Sequence, residues 1–171
     1  WNTDGIDLDC FCRVVVSDCI IETGDDCITL RGYDEPLKTK RACEYVTVTN
    51  CVLSSTCNAI RVGVGEGTIQ NCLFSNLIIR DTCHGISINN RFNARKPDGT
   101  YRGFCTVRNI SFENIDVKAF YGISLVTDWF GVFEDPAGQV TTENIAFRNL
   151  RVESQRTCNI IGQSDRSVRS L

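Results

Sequence analysis

VVVSDCII, residues 14–21, reads as a short alternating strand, an aspartate, and a second apolar strand. The same arrangement returns as VTVTNCVL at 46–53, CLFSNLII at 72–79, ISFENIDV at 110–117 and IAFRNLRV at 145–152. The Asx residues of the series are Asp18, Asn50, Asn76, Asn114 and Asn149. A second series interleaves with it: DGIDL at 4–8, DCITL at 26–30, NAIRV at 58–62, HGISI at 84–88 and YGISL at 121–125. Period-two alternation, β-branched residues and Asx-rich corners argue for strands, and no segment carries a helical stripe. The two Asp-Gly pairs, Asp4-Gly5 and Asp98-Gly99, do not join repeat strands, as hairpins would require.

Two registers recurring in one order describe a solenoid. Each repeat makes one coil, equivalent strands stack in parallel about 4.8 Å apart, and inward Ile, Val, Leu and Phe form a continuous core. The expected corner role of the Asx residues is to hydrogen-bond free backbone groups of the turn. About five to six coils are expected over residues 1–171, as part of one domain, with inserted loops near 31–42, 89–103 and 128–139. An antiparallel sandwich is the competing fold. With no Met and an abrupt start at Trp1-Asn2, the chain reads as a fragment of a longer helix.

The net charge of −3 gives no bulk attraction to nucleic acid or an anionic membrane. No apolar run reaches the roughly 18 residues of a membrane helix. Eleven Cys lean towards an oxidising compartment, although burial as small apolar residues explains many of them equally well. Their spacings carry no zinc signature.

In the second series the lead residues Asp4, Asp26, Asn58, His84 and Tyr121 stack into one outer column. Three positions on, Asp7, Thr29, Arg61, Ser87 and Ser124 form another. Asp4 and Asp26 are then neighbours on adjacent coils with Asp25 at the turn beside them. Three converging carboxylates cannot all ionise freely, so at least one pKa is expected to rise. A carboxylic acid beside a carboxylate is what acid/base cleavage of a glycosidic bond needs. A calcium site or a solvated acidic edge is the competing reading.

NTDGID at 2–7 followed by GDDC at 24–27 resembles glycoside hydrolase family 28, the polygalacturonases and their relatives. The resemblance implies a single-stranded, all-β, right-handed parallel β-helix that hydrolyses pectic polymers with inversion. It implies Asp25 as general acid, with Asp4 and Asp26 holding and deprotonating the attacking water. It implies no cofactor and no metal, a polysaccharide as partner, a monomer, and a secreted or extracellular setting. The chain departs from the family in two places. Asn58 stands where a Gly-His-Gly motif has His, and Ser87-Ile88-Asn89 stands where Arg-Ile-Lys is usual. Asn58, Arg61 and His84 are therefore the candidate substrate contacts, the last two taking over from positions one coil away. The loops add Arg31, Lys38, Lys40 and Arg41, then Arg91, Arg95, Lys96 and Arg102, then Trp129, Phe130 and Phe133, as candidates for an anionic sugar chain. The alternatives are a non-catalytic carbohydrate-binding or adhesin-like β-helix and a calcium-dependent lyase. The sequon at Asn109 is set aside as near chance.

Overall fold

A computed structural model describes residues 2–90, 98–99, 104–127, 142–162 and 168–169. The strands are β1 (Ile6–Asp9), β2 (Cys12–Ser17), β3 (Ile20–Thr23), β4 (Ile28–Gly32), β5 (Cys43–Thr49), β6 (Val52–Ser55), β7 (Asn58–Gly65), β8 (Thr68–Asn89), β9 (Thr106–Val126), β10 (Thr142–Arg156), β11 (Asn159–Ile161) and β12 (Val168–Arg169). Every strand pair among the described residues is parallel, which excludes the antiparallel sandwich. The chain folds as a right-handed parallel β-helix.

Three columns of strands make the walls. One runs β1, β4, β7, the end of β8, the end of β9, then β11. The second runs β2, β5 and the starts of β8, β9 and β10. The third runs β3, β6 and the middles of β8, β9 and β10. The core lies between them and includes Ile28, Leu30, Ile60, Ile86 and Ile88, all fully buried. Phe74, Phe112 and Phe147 stack through it at centroid separations of 5.0 and 5.2 Å.

Corners of a single residue explain why β8 and β9 run unbroken for 22 and 21 residues around all three walls. Asp18, Asn50, Asn76, Asn114 and Asn149 take φ of 58°, 55°, 53°, 54° and 51°, the left-handed region that Asx residues tolerate. Their side chains bond to one another, coil to coil, rather than mainly to the turn backbone as the sequence suggested. The Nδ2 groups of Asn50, Asn76, Asn114 and Asn149 donate to the preceding Oδ1 at 3.3, 3.4, 3.2 and 2.8 Å. In parallel stacking, identical corner residues lie one rung apart, within reach of a carboxamide. A second ladder, Asn71, Asn109 and Asn144, links at 3.0 Å per step. It was legible as an Asn five residues ahead of the last three corners, Asn76, Asn114 and Asn149, and it engages both ends of the Asn109 sequon amide. Asn114→Ala removes two ladder bonds and puts a Cβ residue without a local bond at positive φ. A loss of about 1–2 kcal/mol is expected from urea unfolding.

All eleven cysteines are free, and Cys10, Cys27, Cys43, Cys51, Cys72 and Cys105 are buried. Burial pushes the Cys43 thiol up to about 12, so it packs as a small apolar group.

Candidate active site

The first wall carries the site. Its register pairs Asp7 with Thr29, Thr29 with Arg61, Arg61 with Ser87, and Ser87 with Ser124. Asn58 pairs with His84 and His84 with Tyr121. Asp4 falls in line with Asp26 because the Gly5 N–H donates to the Asp26 carbonyl at 2.8 Å. Gly5 is required there, since a Cβ would lie 2.5 Å from the Cys27 carbonyl oxygen. The close approach brings Asp4 against the next coil.

The columns face away from the core, yet most of their members are not exposed. Asp26 is 1% exposed, Thr29 0%, Asn58 6%, Arg61 7%, Ser87 2% and Ser124 6%. Side chains one rung apart cover one another and pair their polar atoms. Asp26 accepts from Asn58 Nδ2 at 2.6 Å, from Arg61 Nη1 at 3.0 Å and from Thr29 Oγ1 at 3.4 Å. Burial by itself raises the Asp26 carboxyl, but the Asn58 amide and the Arg61 guanidinium more than offset it and hold it below its ordinary value. Asp26 therefore stays ionised to lower pH than an ordinary carboxyl.

Asp4 is different. It is exposed, and its carboxyl is raised by partial burial and by the neighbouring charges of Asp7, Asp26 and Asp25. Its Oδ1 accepts from the Asp26 backbone N–H at 3.2 Å, and its Oδ2 meets Arg31 Nη2 at 3.0 Å. The rise expected of one member of the cluster falls on this residue. Asp25 sits half-buried on a turn held by its N–H to the Thr3 carbonyl at 3.2 Å and by the Ser55 hydroxyl on its own carbonyl. Its carboxylate, that of Asp26 and the Cys57 sulfur present atoms within 4.8 Å of one another. Both Asp26 oxygens already accept hydrogen bonds, Oδ1 from Asn58 and Oδ2 from Arg61. Cys57, half-buried and facing Asp25 and Asp26, is pushed up to about 12 and remains a thiol.

Arg61 thus directs its charge to Asp26 rather than outwards. His84 is half-buried and stacks on Tyr121 at 4.7 Å and 10°. Burial lowers its pKa, with the Arg61 charge adding to the effect. In the loop at 31–42 two of the four cations are paired, Arg31 with Asp4 and Asp7, and Lys40 with Asp34 at 2.8 Å. The cations of 89–103 and the aromatics of 128–139 lie outside the described residues. Sequence reasoning did not connect Arg31 with Asp4. Counting by two from Thr29 would have placed Arg31 on the same outward side, one rung from Asp7 and Asp9.

Acid should weaken this site in two steps. His84 titrates below its ordinary 6.5, so its contribution is full above 6.5 and declines as pH falls towards its folded value. Asp26 titrates below 3.8, so its contribution is full above 3.8 and declines below it. Asp4, being raised, contributes in the opposite sense, most below 3.8 and less as pH rises through its folded value. Urea unfolding against pH should show a steeper loss below 3.8 in the parent than in the Asp26→Asn/Arg61→Leu double variant.

No family model matches the chain, and no solved structure matches it. Curated proteins do. A probable endo-xylogalacturonan hydrolase A of Neosartorya fischeri is 29% identical over 121 residues, 68% of this chain and 26% of that protein. A probable polygalacturonase of Arabidopsis thaliana is 31% identical over 117 residues, 67% of this chain and 23% of that protein. The polygalacturonase QRT2 of the same plant is 25% identical over 139 residues, 67% of this chain and 32% of that protein. The chain is related to glycoside hydrolase family 28. It spans between 23% and 32% of the length of these polygalacturonase-type relatives. Within this polygalacturonase-like chain, the Asn at position 58 now has a visible consequence. A carboxamide there donates to Asp26 and fills the lead column with a group that does not titrate.

Proposed function

We propose that this chain carries the catalytic wall of an extracellular glycoside hydrolase that cleaves a pectin-like or other uronic-acid-containing polysaccharide with inversion. The observation that carries the reading is the division of the three aspartates by environment. Asp26 is buried, paired and ionised, Asp4 is exposed with a raised pKa, and Asp25 is half-buried beside them. Asp25 gives its proton to the glycosidic oxygen as the bond breaks. Asp4, open to solvent, takes the proton of the attacking water. Asp26 supplies a fixed negative charge behind that water and favours the cationic character developing on the sugar ring. Residues 1–171 act as one part of the catalytic domain, and the reaction uses side chains alone. The names of the relatives support a galacturonate-containing substrate. Incubation with polygalacturonic acid, xylogalacturonan and rhamnogalacturonan should release reducing ends with inverted anomeric configuration from at least one of them. Polymer binding without release would replace this reading.

That replacement is a non-catalytic carbohydrate-binding module, and one observation favours it: Asn58 and Arg61 both occupy Asp26. A calcium-dependent lyase would give ultraviolet-absorbing products that chelator abolishes.

A further inference from the structure

Arg31 lies on β4, at the rung between Asp9 on β1 and the Gly63 region of β7. Its Nη2 is 3.0 Å from Asp4 Oδ2 and 3.1 Å from Asp7 Oδ2. One cationic nitrogen therefore spans two carboxylates of the same coil. Its Nε is buried and has no partner among the described residues. Among the described residues the two carboxylates hold the head of this side chain, which is 21% exposed.

We propose that Arg31 is a positioning residue for the base: its guanidinium clamps Asp4 to Asp7, so that one Asp4 oxygen is held towards the attacking water. The proposal rests on the hydrolase reading for its catalytic meaning and on geometry for the clamp itself. Asp4 meets Asp7 on its own coil, Asp25, Asp26 and Arg31 on the next, and Arg61, Cys57 and His84 lie along the columns beyond. Among these, Arg31 is the cation in direct contact with Asp4. The other groups that face Asp4 closely are acidic and push its carboxyl up, Asp7 foremost among them. Without the guanidinium, no cation among the described residues is in contact with Asp4 to oppose that push. The second guanidinium, Arg61, is already tied to Asp26.

The test is a carboxyl-carbon NMR titration of Asp4 and Asp7 in parent, Arg31→Gln and Asp7→Asn. An opposite charge in contact shifts a carboxylate by about one pH unit or more. Arg31→Gln should therefore raise the Asp4 midpoint by about one unit, and the acid limb of kcat/KM should move up with it while KM changes little. Arg31→Lys, keeping the charge, should recover most of that shift. Asp7→Asn should lower the Asp4 midpoint, and this variant serves if Arg31→Gln does not fold. An Asp4 midpoint that stays in place in the folded Arg31 variant, or in Asp7→Asn, overturns the clamp. Sugar release with an unmoved Asp4 refutes Arg31 alone. Absence of sugar release from every polymer refutes the hydrolase reading, and the NMR result still decides the clamp.

Discussion

Arg61→Ala is expected to destabilise the fold by about 3–5 kcal/mol, the usual cost of leaving one member of a buried ion pair alone. Asp26 is 1% exposed and its Oδ2 lies 3.0 Å from Arg61 Nη1. Removing the guanidinium leaves a carboxylate in a low-dielectric setting with the Asn58 amide, the Thr29 hydroxyl and the Cys57 thiol as its neutral partners. The carboxyl should then titrate above its ordinary value instead of below it, because burial is the largest influence on it and acts upwards. Against a total stability of about 5–15 kcal/mol for a typical domain, a loss of this size leaves little folded protein at 37 °C. The companion variant Asp26→Asn/Arg61→Leu removes both charges and should recover a large part of the loss, since replacing a buried pair by neutral groups is often close to neutral. Chemical denaturation of the two variants reads the comparison directly. A midpoint for Arg61→Ala equal to the parent's would mean that the pair is not buried in solution.

Asp25→Asn should reduce kcat on the best polymer by about a hundredfold to ten-thousandfold, the range of a general acid in the transition state. KM should change little, because the turn that carries Asp25 is fixed through backbone groups. Its N–H bonds to Thr3, and its carbonyl accepts from the Thr23 and Ser55 hydroxyls. Asn keeps all of these, so the melting temperature should stay close to the parent's. The same substitution at Asp26 would act differently, since there it breaks the Arg61 pair and lowers stability together with rate. Activity of Asp25→Asn within threefold of the parent, on any polymer that the parent cleaves, would remove Asp25 from the role of acid.

How much of this was legible in residue order can be judged from particular positions. The columns Asp7, Thr29, Arg61, Ser87, Ser124 and Asn58, His84, Tyr121 were placed by counting alone, and the register reproduces them. The corner residues were likewise found, and their positive φ follows from an Asx residue standing between two strands. The exposure of the columns was misjudged. Outward direction follows from period two, but burial depends on what the neighbouring rungs carry, and here polar groups cover one another. Arg61, a candidate sugar contact by sequence, reaches back to Asp26, a pairing the residue order did not announce. Arg31 was grouped with a charged loop and instead belongs to the wall.

The order of residues by itself determined the winding. In parallel, in-register stacking, each coil repeats the positions of the last, so a sequence offset translates directly into a place on a wall. The pairing of charges was decided only in three dimensions. The rung spacing of about 4.8 Å is shorter than an arginine side chain, so a guanidinium can turn along its own strand, to the coil before or to the coil after. Packing and local charge then select one partner, Asp26 for Arg61 and Asp4 with Asp7 for Arg31, and no spacing rule encodes that choice.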